Sequence, residues 1–113
     1  NFSSVSEHAW LGHGILINAG AIINANAKIG DNCIIHSKAV IDAEAELGNN
    51  VQIGAGAIIN ASAKVEDDAF VGSGAIVVSG VKIGKKARVG AGAVVIADVP
   101  ANQTVFGNPA KKV

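Results

Sequence analysis

The sequence predicts an all-β protein, a three-sided parallel solenoid of short strands with about five coils and a short C-terminal cap. The first observation is an aliphatic residue, always Val, Ile or Leu, at every sixth position from Val5 to Val95 without a gap. The second is an apolar residue, most often Ala, four positions after each of them. A period of six does not stay in phase with an α-helix, and one long strand would not contain so many glycines. An internal repeat of this kind indicates stacked coils of chain.

Each six-residue repeat has room for one short strand and one tight turn, so three repeats close a triangular coil of eighteen residues. Similar hexads recur at multiples of that spacing: I-N-A-G-A-I from position 17, I-G-A-G-A-I from 53, V-G-S-G-A-I from 71 and V-G-A-G-A-V from 89. Residues eighteen apart should therefore stack in parallel, about 4.8 Å from each other. The first residue of each hexad should point inward, and Asn or Gly should occupy the corners where φ is positive.

Along the chain, residues 1–4 are expected to be a lead-in, residues 5–100 the repeat, and residues 101–113 a capping tail. The repeat contains no inserted loop. In the tail, Gly107 and Pro109 interrupt the period, so this segment should cover the open end of the last coil. The chain begins at Asn1 and contains no methionine, from which we expect a preceding N-terminal part to be missing.

The composition is that of one soluble domain, with 113 residues and a formal net charge of zero. The neutral balance argues against a nucleic-acid partner, and no apolar run reaches the ~18 residues of a membrane span. The single cysteine, Cys33, falls at a core position, which favours a reducing, cytoplasmic compartment over a disulfide framework. His8, His13 and His36 are not separated by multiples of eighteen, so no metal site is expected within one rod.

The residue before each inward aliphatic points outward, so the coils form three outward ladders. One ladder is mainly charged: Trp10, Lys28, Glu46, Lys64, Lys82 and Pro100. One is mixed: Leu16, Ile34, Gln52, Phe70 and Arg88. In the last, every rung is aliphatic: Ile22, Val40, Ile58, Ile76 and Val94. Single exposed Val and Ile residues are normal on a β surface, but a continuous aliphatic stripe indicates an interface, and we expect self-association through it.

With the repeat aligned, the chain resembles the hexapeptide-repeat acyltransferases over residues 5–113. The matching segments are I-I-N-A-S-A-K-V at 58–65, V-G-S-G-A at 71–75, V-K-I-G at 81–84, V-G-A-G-A-V-V at 89–95 and V-F-G-N-P-A-K at 105–111. Within this family it is most similar to the C-terminal half of the sialic-acid O-acetyltransferases and nucleotide-amino-sugar N-acetyltransferases. The resemblance implies a left-handed parallel β-helix, a homotrimer with active sites in the grooves between rods, and acetyl-CoA as co-substrate. It also implies a sugar or sugar-nucleotide acceptor and an N-terminal sugar-nucleotide-binding domain, absent from this chain.

The same resemblance assigns the site residues. The family's general base is a histidine in a segment resembling V-E-H-D-C-V-I-G, which matches residues 41–48 and places Ala43 at the base and Glu44 at its orienting carboxylate. A second family histidine, near the acetyl group, corresponds to Gln52. The backbone N–H groups that hold coenzyme A correspond to four corner residues: Gly72, Ser73, Gly90 and Ala91. A basic patch is positioned to meet the coenzyme phosphates: Lys85, Lys86 and Arg88.

Two functions remain open at this point. The first is an acetyl-CoA-dependent acyltransferase domain acting on an amino sugar or sialic acid, by O- or N-acetyl transfer, in which another group replaces the missing histidine. The second is a catalytically silent trimeric solenoid, either a natural pseudo-enzyme or an engineered scaffold. The glycine corners and the G-N-P-A-K ending favour the first, and the monotonous A-x-A spacing favours the second. Each of the three histidines, at a turn position, is more often a solvated polar residue than a catalyst.

Overall fold

A computed structural model describes residues 3–113 as a straight-sided rod of 37 × 20 × 20 Å, formed by parallel coils stacked along its length. All regular elements in this range are β-strands. The described residues contain no helix of the length and apolar character needed to cross a membrane. The predicted all-β solenoid is confirmed. Asn1 and Phe2, which belong to the expected lead-in, lie outside the described residues.

The strands form three sheets, one for each side of the rod. Sheet A contains β1 (Ser4–Val5), β4 (Ile22–Ile23), β7 (Val40–Ile41), β10 (Ile58–Ile59), β13 (Ile76–Val77) and β16 (Val94–Val95). Sheet B contains β2 (Trp10–Leu11), β5 (Lys28–Ile29), β8 (Glu46–Leu47), β11 (Lys64–Val65) and β14 (Lys82–Ile83). Sheet C contains β3 (Leu16–Ile17), β6 (Ile34–Ile35), β9 (Gln52–Ile53), β12 (Phe70–Val71), β15 (Arg88–Val89), β17 (Thr104–Phe106) and β18 (Lys111–Lys112).

The register of the sheets follows the eighteen-residue spacing of the sequence. Ile58 pairs with Ile76 on one side and with Val40 on the other, all in parallel. The bonds between coils are short, since the N–H of Ile58 donates to the carbonyl oxygen of Ala75 at 2.9 Å. The predicted stacking of residues eighteen apart is confirmed.

The core is a narrow shaft filled by the first and fifth positions of the hexads. From Ala21 to Val99 every such residue is at most 6% exposed. Cys33 belongs to this shaft, and burial raises the pKa of its thiol. The first coil has no coil beneath it, so Val5 and Leu11 remain 39% and 46% exposed although they occupy core positions.

The corners differ from the expectation that Asn or Gly would hold every positive φ. All fourth positions of the hexads from Gly14 to Gly92 have positive φ, but five of them carry other side chains: Lys38, Glu44, Ser62, Asp68 and Lys86. A left-handed residue costs roughly 1–2 kcal/mol without glycine. A hydrogen bond between coils opposes that cost, because the fourth-position N–H donates to the preceding coil, as from Glu44 to the Ala25 carbonyl oxygen at 3.1 Å.

The tail extends the rod by a further, shorter coil. Val99 bridges Ile83 in parallel, and Thr104 pairs with Arg88, so the stacking interval falls from eighteen residues to sixteen. The rod therefore has about six coils, not five. Strand β18 then runs antiparallel to β17 at the end of sheet C. Val105 is 6% exposed and continues the core shaft into this last coil.

Candidate functional site

The turns between sheets form three vertical edges, and the predicted site residues lie on two of them. The AB edge, between sheets A and B, consists of residues 6–8, 24–26, 42–44, 60–62 and 78–80. The BC edge consists of residues 12–14, 30–32, 48–50, 66–68 and 84–86. The CA edge consists of residues 18–20, 36–38, 54–56, 72–74 and 90–92.

The structure does not bring all predicted site residues together within one chain. Ala43 and Glu44 lie on the AB edge, whereas the four predicted coenzyme contacts lie on the CA edge: Gly72, Ser73, Gly90 and Ala91. Gln52 points outward from the middle of sheet C, between the BC and CA edges, and is exposed. The AB and CA edges are the two borders of sheet A. A site that used both edges would either extend across the face of sheet A or form between two copies of the rod.

The AB edge holds an ordered carboxylate next to Ala43. The Nδ2 amide of Asn24 donates to Oδ1 of Asp42 at 2.9 Å, and the N–H of Ala43 donates to the same oxygen at 2.7 Å. These two bonds, the Asn24 bond first, lower the pKa of Asp42 from its ordinary value, against a smaller opposing effect of burial. Asp42 is therefore ionised at neutral pH, half-buried, and adjacent to the position where the base was expected.

The CA edge is almost free of side chains over three consecutive coils, G-A-G at 54–56, G-S-G at 72–74 and G-A-G at 90–92. A Cβ at Gly72 would lie 2.6 Å from the backbone nitrogen of Ala91, so close stacking of the coils requires glycine there. At Gly74 and Gly92, by contrast, a Cβ would meet no atom within 4 Å. These glycines leave open space along the edge.

The same edge presents unpaired hydrogen-bond donors. The N–H of Gly74 is used between coils, donating to Ala55 at 2.9 Å. Within residues 3–113, however, the N–H groups of Ser73 and Ala91 donate to no acceptor. Ser73 and Ala91 are both exposed residues, and their nitrogens lie one coil apart on this edge. Such a row of main-chain donors suits the amide and carbonyl groups of an extended ligand.

The basic patch is divided between two surfaces. Lys85 and Lys86 lie on the BC edge, and Arg88 projects from sheet C. The guanidinium of Arg88 lies over the ring of Phe70, 5.6 Å from its centroid, which fixes its direction across the face of sheet C. The patch therefore borders sheet C on the side away from the glycine edge. A separate surface depression of about 480 Å³ lies on sheet B near Trp10 and Lys28, away from every predicted site residue.

Two features of the site were not anticipated from the sequence. The Asn24–Asp42 pair has a sequence signal, the spacing of eighteen that stacks two amide or carboxylate side chains on one edge. His36 lies on the CA edge and is half-buried, whereas His8 and His13 are exposed. No three His, Cys, Asp or Glu side chains within the described part of the chain are placed to hold a metal ion.

The Asn24–Asp42 pair gives a testable pH dependence. Substituting Asn24→Ala removes the main group that lowers the pKa of Asp42, so the pKa should rise towards its ordinary value. Because folding lowers this pKa, the bond stabilises the rod above the ordinary pKa of about 3.9, and the contribution disappears as pH falls through the folded value. The stability difference between wild type and Asn24→Ala should therefore be present at pH 7 and vanish in acid. Denaturant unfolding at both pH values measures it, and a difference that persists in acid contradicts the prediction.

The chain matches one protein-family model and several solved structures of similar fold. A family model described as the GMPPB C-terminal domain matches residues 15–111. No curated protein matches the sequence. Among solved structures, a variant of perosamine N-acetyltransferase from Caulobacter crescentus, in complex with CoA and GDP-perosamine, is 39% identical with a TM-score of 0.98. It is matched over 99% of this chain and 53% of its own.

Two further structures agree with the first. The acetyltransferase domain of PglB from Neisseria gonorrhoeae, in complex with acetyl coenzyme A, is 31% identical with a TM-score of 0.98, over 99% of this chain and 55% of that one. WeeI from Acinetobacter baumannii is 30% identical with a TM-score of 0.81, over 96% and 57%. The chain thus spans about half the length of these solved structures.

Proposed function

The chain belongs to the GMPPB C-terminal domain family and has the fold of the hexapeptide-repeat acetyltransferases, and from this we propose that it is an acetyl-CoA-dependent acyltransferase domain acting on an amino sugar. The acceptor is an amino sugar carried on a nucleotide, as in the GDP-perosamine complex of the Caulobacter enzyme. The observation that carries the proposal is the CA edge. It combines open space at Gly74 and Gly92 with the unpaired N–H groups of Ser73 and Ala91. The pantetheine arm of coenzyme A has the extended shape and amide groups that such an edge binds.

The proposed assembly is a homotrimer in which sheet A faces the threefold axis. Its outward rungs are aliphatic and stand in one continuous ladder: Ile22, Val40, Ile58, Ile76 and Val94. Exposed apolar residues also lie on both borders of sheet A near the C-terminal end of the rod. Val78 and Ile96 lie on the AB side, and Phe106 lies over Gly90 on the CA side. Burial of sheet A together with both of its borders is what a trimer through this face would produce.

This trimer would complete the site that one rod leaves divided. Around a threefold axis, the AB edge of each subunit faces the CA edge of the next, and the groove between them is walled by sheet B and sheet C. Ala43 and Glu44 of one subunit then border the same groove as Ser73 and Ala91 of its neighbour. Gln52 faces that groove from sheet C.

The second candidate is a rod that assembles and does not catalyse. The observation favouring it is chemical: Ala43 has no proton acceptor, and Gln52 donates hydrogen bonds without acting as a base. Glu44 is exposed at a corner of positive φ, and a carboxylate with an ordinary pKa near 4.3 is a weak base towards an amine or hydroxyl. The two candidates differ in turnover and share the fold, the trimer and the groove.

Coenzyme binding at the CA edge is tested by Gly74→Asn. Asn accepts the positive φ of this position, as Asn26, Asn32 and Asn50 do elsewhere in the rod, so the backbone is expected to remain unchanged. Its side chain would occupy the open space, and we expect affinity for coenzyme A to fall by at least about tenfold, roughly 1.4 kcal/mol. Isothermal titration with acetyl-CoA measures the loss.

The matched control is Asp68→Asn, which puts the same side chain at the same backbone conformation on the BC edge. Its affinity should equal that of the unmodified chain. Equal affinities for both variants would show that coenzyme A does not bind along the CA edge.

A further inference from the structure

We propose that His36 of one subunit is the catalytic base of the groove, acting across the interface beside Glu44 and Asp42 of the neighbouring subunit. This inference rests on the proposed trimeric acyltransferase and names the group that acts in place of an imidazole at Ala43. It follows from the position of one histidine relative to sheet A.

The three histidines lie on three different edges of the rod. His8 lies on the AB edge, where its Nε2 is 3.5 Å from Oε2 of the adjacent Glu7. His13 lies on the BC edge, which faces away from sheet A. His36 lies on the CA edge, which in the trimer faces the AB edge of the next subunit. It is therefore the histidine that borders the groove opposite Ala43.

His36 also lies at nearly the same height along the rod axis as Ala43. It precedes Ala43 by seven residues, a rise of about 2 Å if each coil rises ~4.8 Å. A threefold axis parallel to the rod keeps equivalent residues of all subunits at one height. His36 of one subunit and Ala43 of the next are thus nearly level. His8 is almost two coils lower than Ala43, about 9 Å on the same scale.

The surroundings of His36 leave the ring nitrogens of its imidazole free to accept a proton. The side chain is half-buried, and its ring nitrogens make no hydrogen bond to any described residue from 3 to 113. The next residue above it in the same column is Gly54, which has no side chain to cover the ring. Across the proposed groove, Asp42 and Glu44 flank Ala43. A carboxylate beside an imidazole orients the ring and stabilises the imidazolium that forms on proton transfer.

The reaction balances with these groups. The acceptor nitrogen attacks the thioester carbonyl carbon of acetyl-CoA, forming the new C–N bond while His36 takes the proton of the attacking amine. The tetrahedral intermediate then collapses and the C–S bond breaks. The imidazolium of His36 returns its proton to the departing thiolate, which leaves as the thiol of coenzyme A. Ala43, which has no side chain beyond Cβ, leaves room for the ring in this groove.

The juxtaposition is tested without any assay of activity. In the double variant His36→Cys/Ala43→Cys, a short bis-maleimide should link different subunits and give covalent dimers and trimers on a denaturing gel. The control His13→Cys/Ala43→Cys should remain a single chain. Native Cys33 is buried, and the raised pKa of its thiol keeps it from reacting in either variant. Failure of the first variant to cross-link between subunits would overturn the proposed placement.

The role of His36 is tested by complementation. Both His36→Gln and Glu44→Gln should lower acetyl transfer to GDP-linked amino sugar, by about 100- to 10,000-fold for His36→Gln. His13→Gln should have no effect. When the two inactive chains are mixed, unfolded and refolded together, random trimers contain an intact His36–Glu44 pair in about one quarter of the grooves. We therefore expect the mixture to recover about one quarter of the wild-type rate.

Failure of this proposal differs from failure of the proposed function. Wild-type turnover by His36→Gln, or no recovery on mixing, would overturn the role of His36 and leave the acyltransferase standing. A wild-type chain that binds acetyl-CoA and transfers nothing would overturn catalysis by His36 together with turnover of this domain. A wild-type chain that neither binds acetyl-CoA nor forms a trimer would overturn the proposed function itself.

Discussion

Replacing Ile58 with Asp is expected to break the trimer into single chains or to leave the protein insoluble. Ile58 is the central rung of the aliphatic ladder, with Val40 below it and Ile76 above it. It is only half-buried in the isolated rod, so burial against a neighbour removes further apolar surface from water. Each rung contributes roughly 1 to 2 kcal/mol in this way. The substitution removes that contribution and also places an unpaired carboxylate in the interface, which costs several kcal/mol more for each subunit.

Light scattering at micromolar concentration measures this result, and the control is Lys64→Asp. Lys64 occupies the equivalent outward position of sheet B, paired with Glu46 and Lys82, where a carboxylate remains in solvent. We expect the control to retain the mass of three chains. A wild-type protein with the mass of one chain would exclude the trimer, and an Ile58→Asp protein that remains trimeric would exclude sheet A as its interface.

The fold was predictable because each position of the hexad has a fixed environment in this solenoid, with the first and fifth positions always facing the core. Ile53 and Ala57 show it, since both are 0% exposed and both positions follow from the hexad alone. The rule fails at the ends, where the stacking partner is absent or displaced. Leu11 obeys the pattern and is still 46% exposed, because no coil lies beneath it. By the six-residue period Val105 would be a fifth position, yet it stacks on Val89, a first position, because the last coil is two residues shorter.

The site was less predictable, because its parts are separated by a face of the rod. Periodicity places Ser73 just before and Glu44 just after strands of the aliphatic ladder. It also places His36, unlike His13, at an edge of that ladder. It does not give the side-chain contacts at an edge, such as the hydrogen bond from Asn24 to Asp42. Glu44 illustrates a second limit, since its positive φ depends on a hydrogen bond to the preceding coil rather than on its own preference.

Introducing Ala43→His into the His36→Gln chain is expected to restore acetyl transfer by at least about two orders of magnitude. A positioned general base contributes roughly 100- to 10,000-fold in rate, and the His36→Gln chain has no imidazole in the proposed groove. The new imidazole would lie on the AB edge between Asp42 and Glu44, where a carboxylate can orient it. Adding Gln52→His places a second imidazole in the groove and is expected to reach at least the same rate. Thiol release from acetyl-CoA with a nucleotide-linked amino sugar measures turnover, and unchanged acetyl-CoA affinity confirms that the groove is intact.

The same Ala43→His substitution in the unmodified chain decides between the two proposed functions. If His36 already acts as the base, the second imidazole duplicates its role, and the gain should stay below about tenfold. If the rod is silent, the unmodified chain shows no turnover, and the substitution creates it with a gain of at least about two orders of magnitude. An equal and large gain in both backgrounds would mean that His36 contributes nothing to proton transfer. A large gain only in the His36→Gln background would mean that one groove needs one imidazole, which this chain supplies from the opposite subunit.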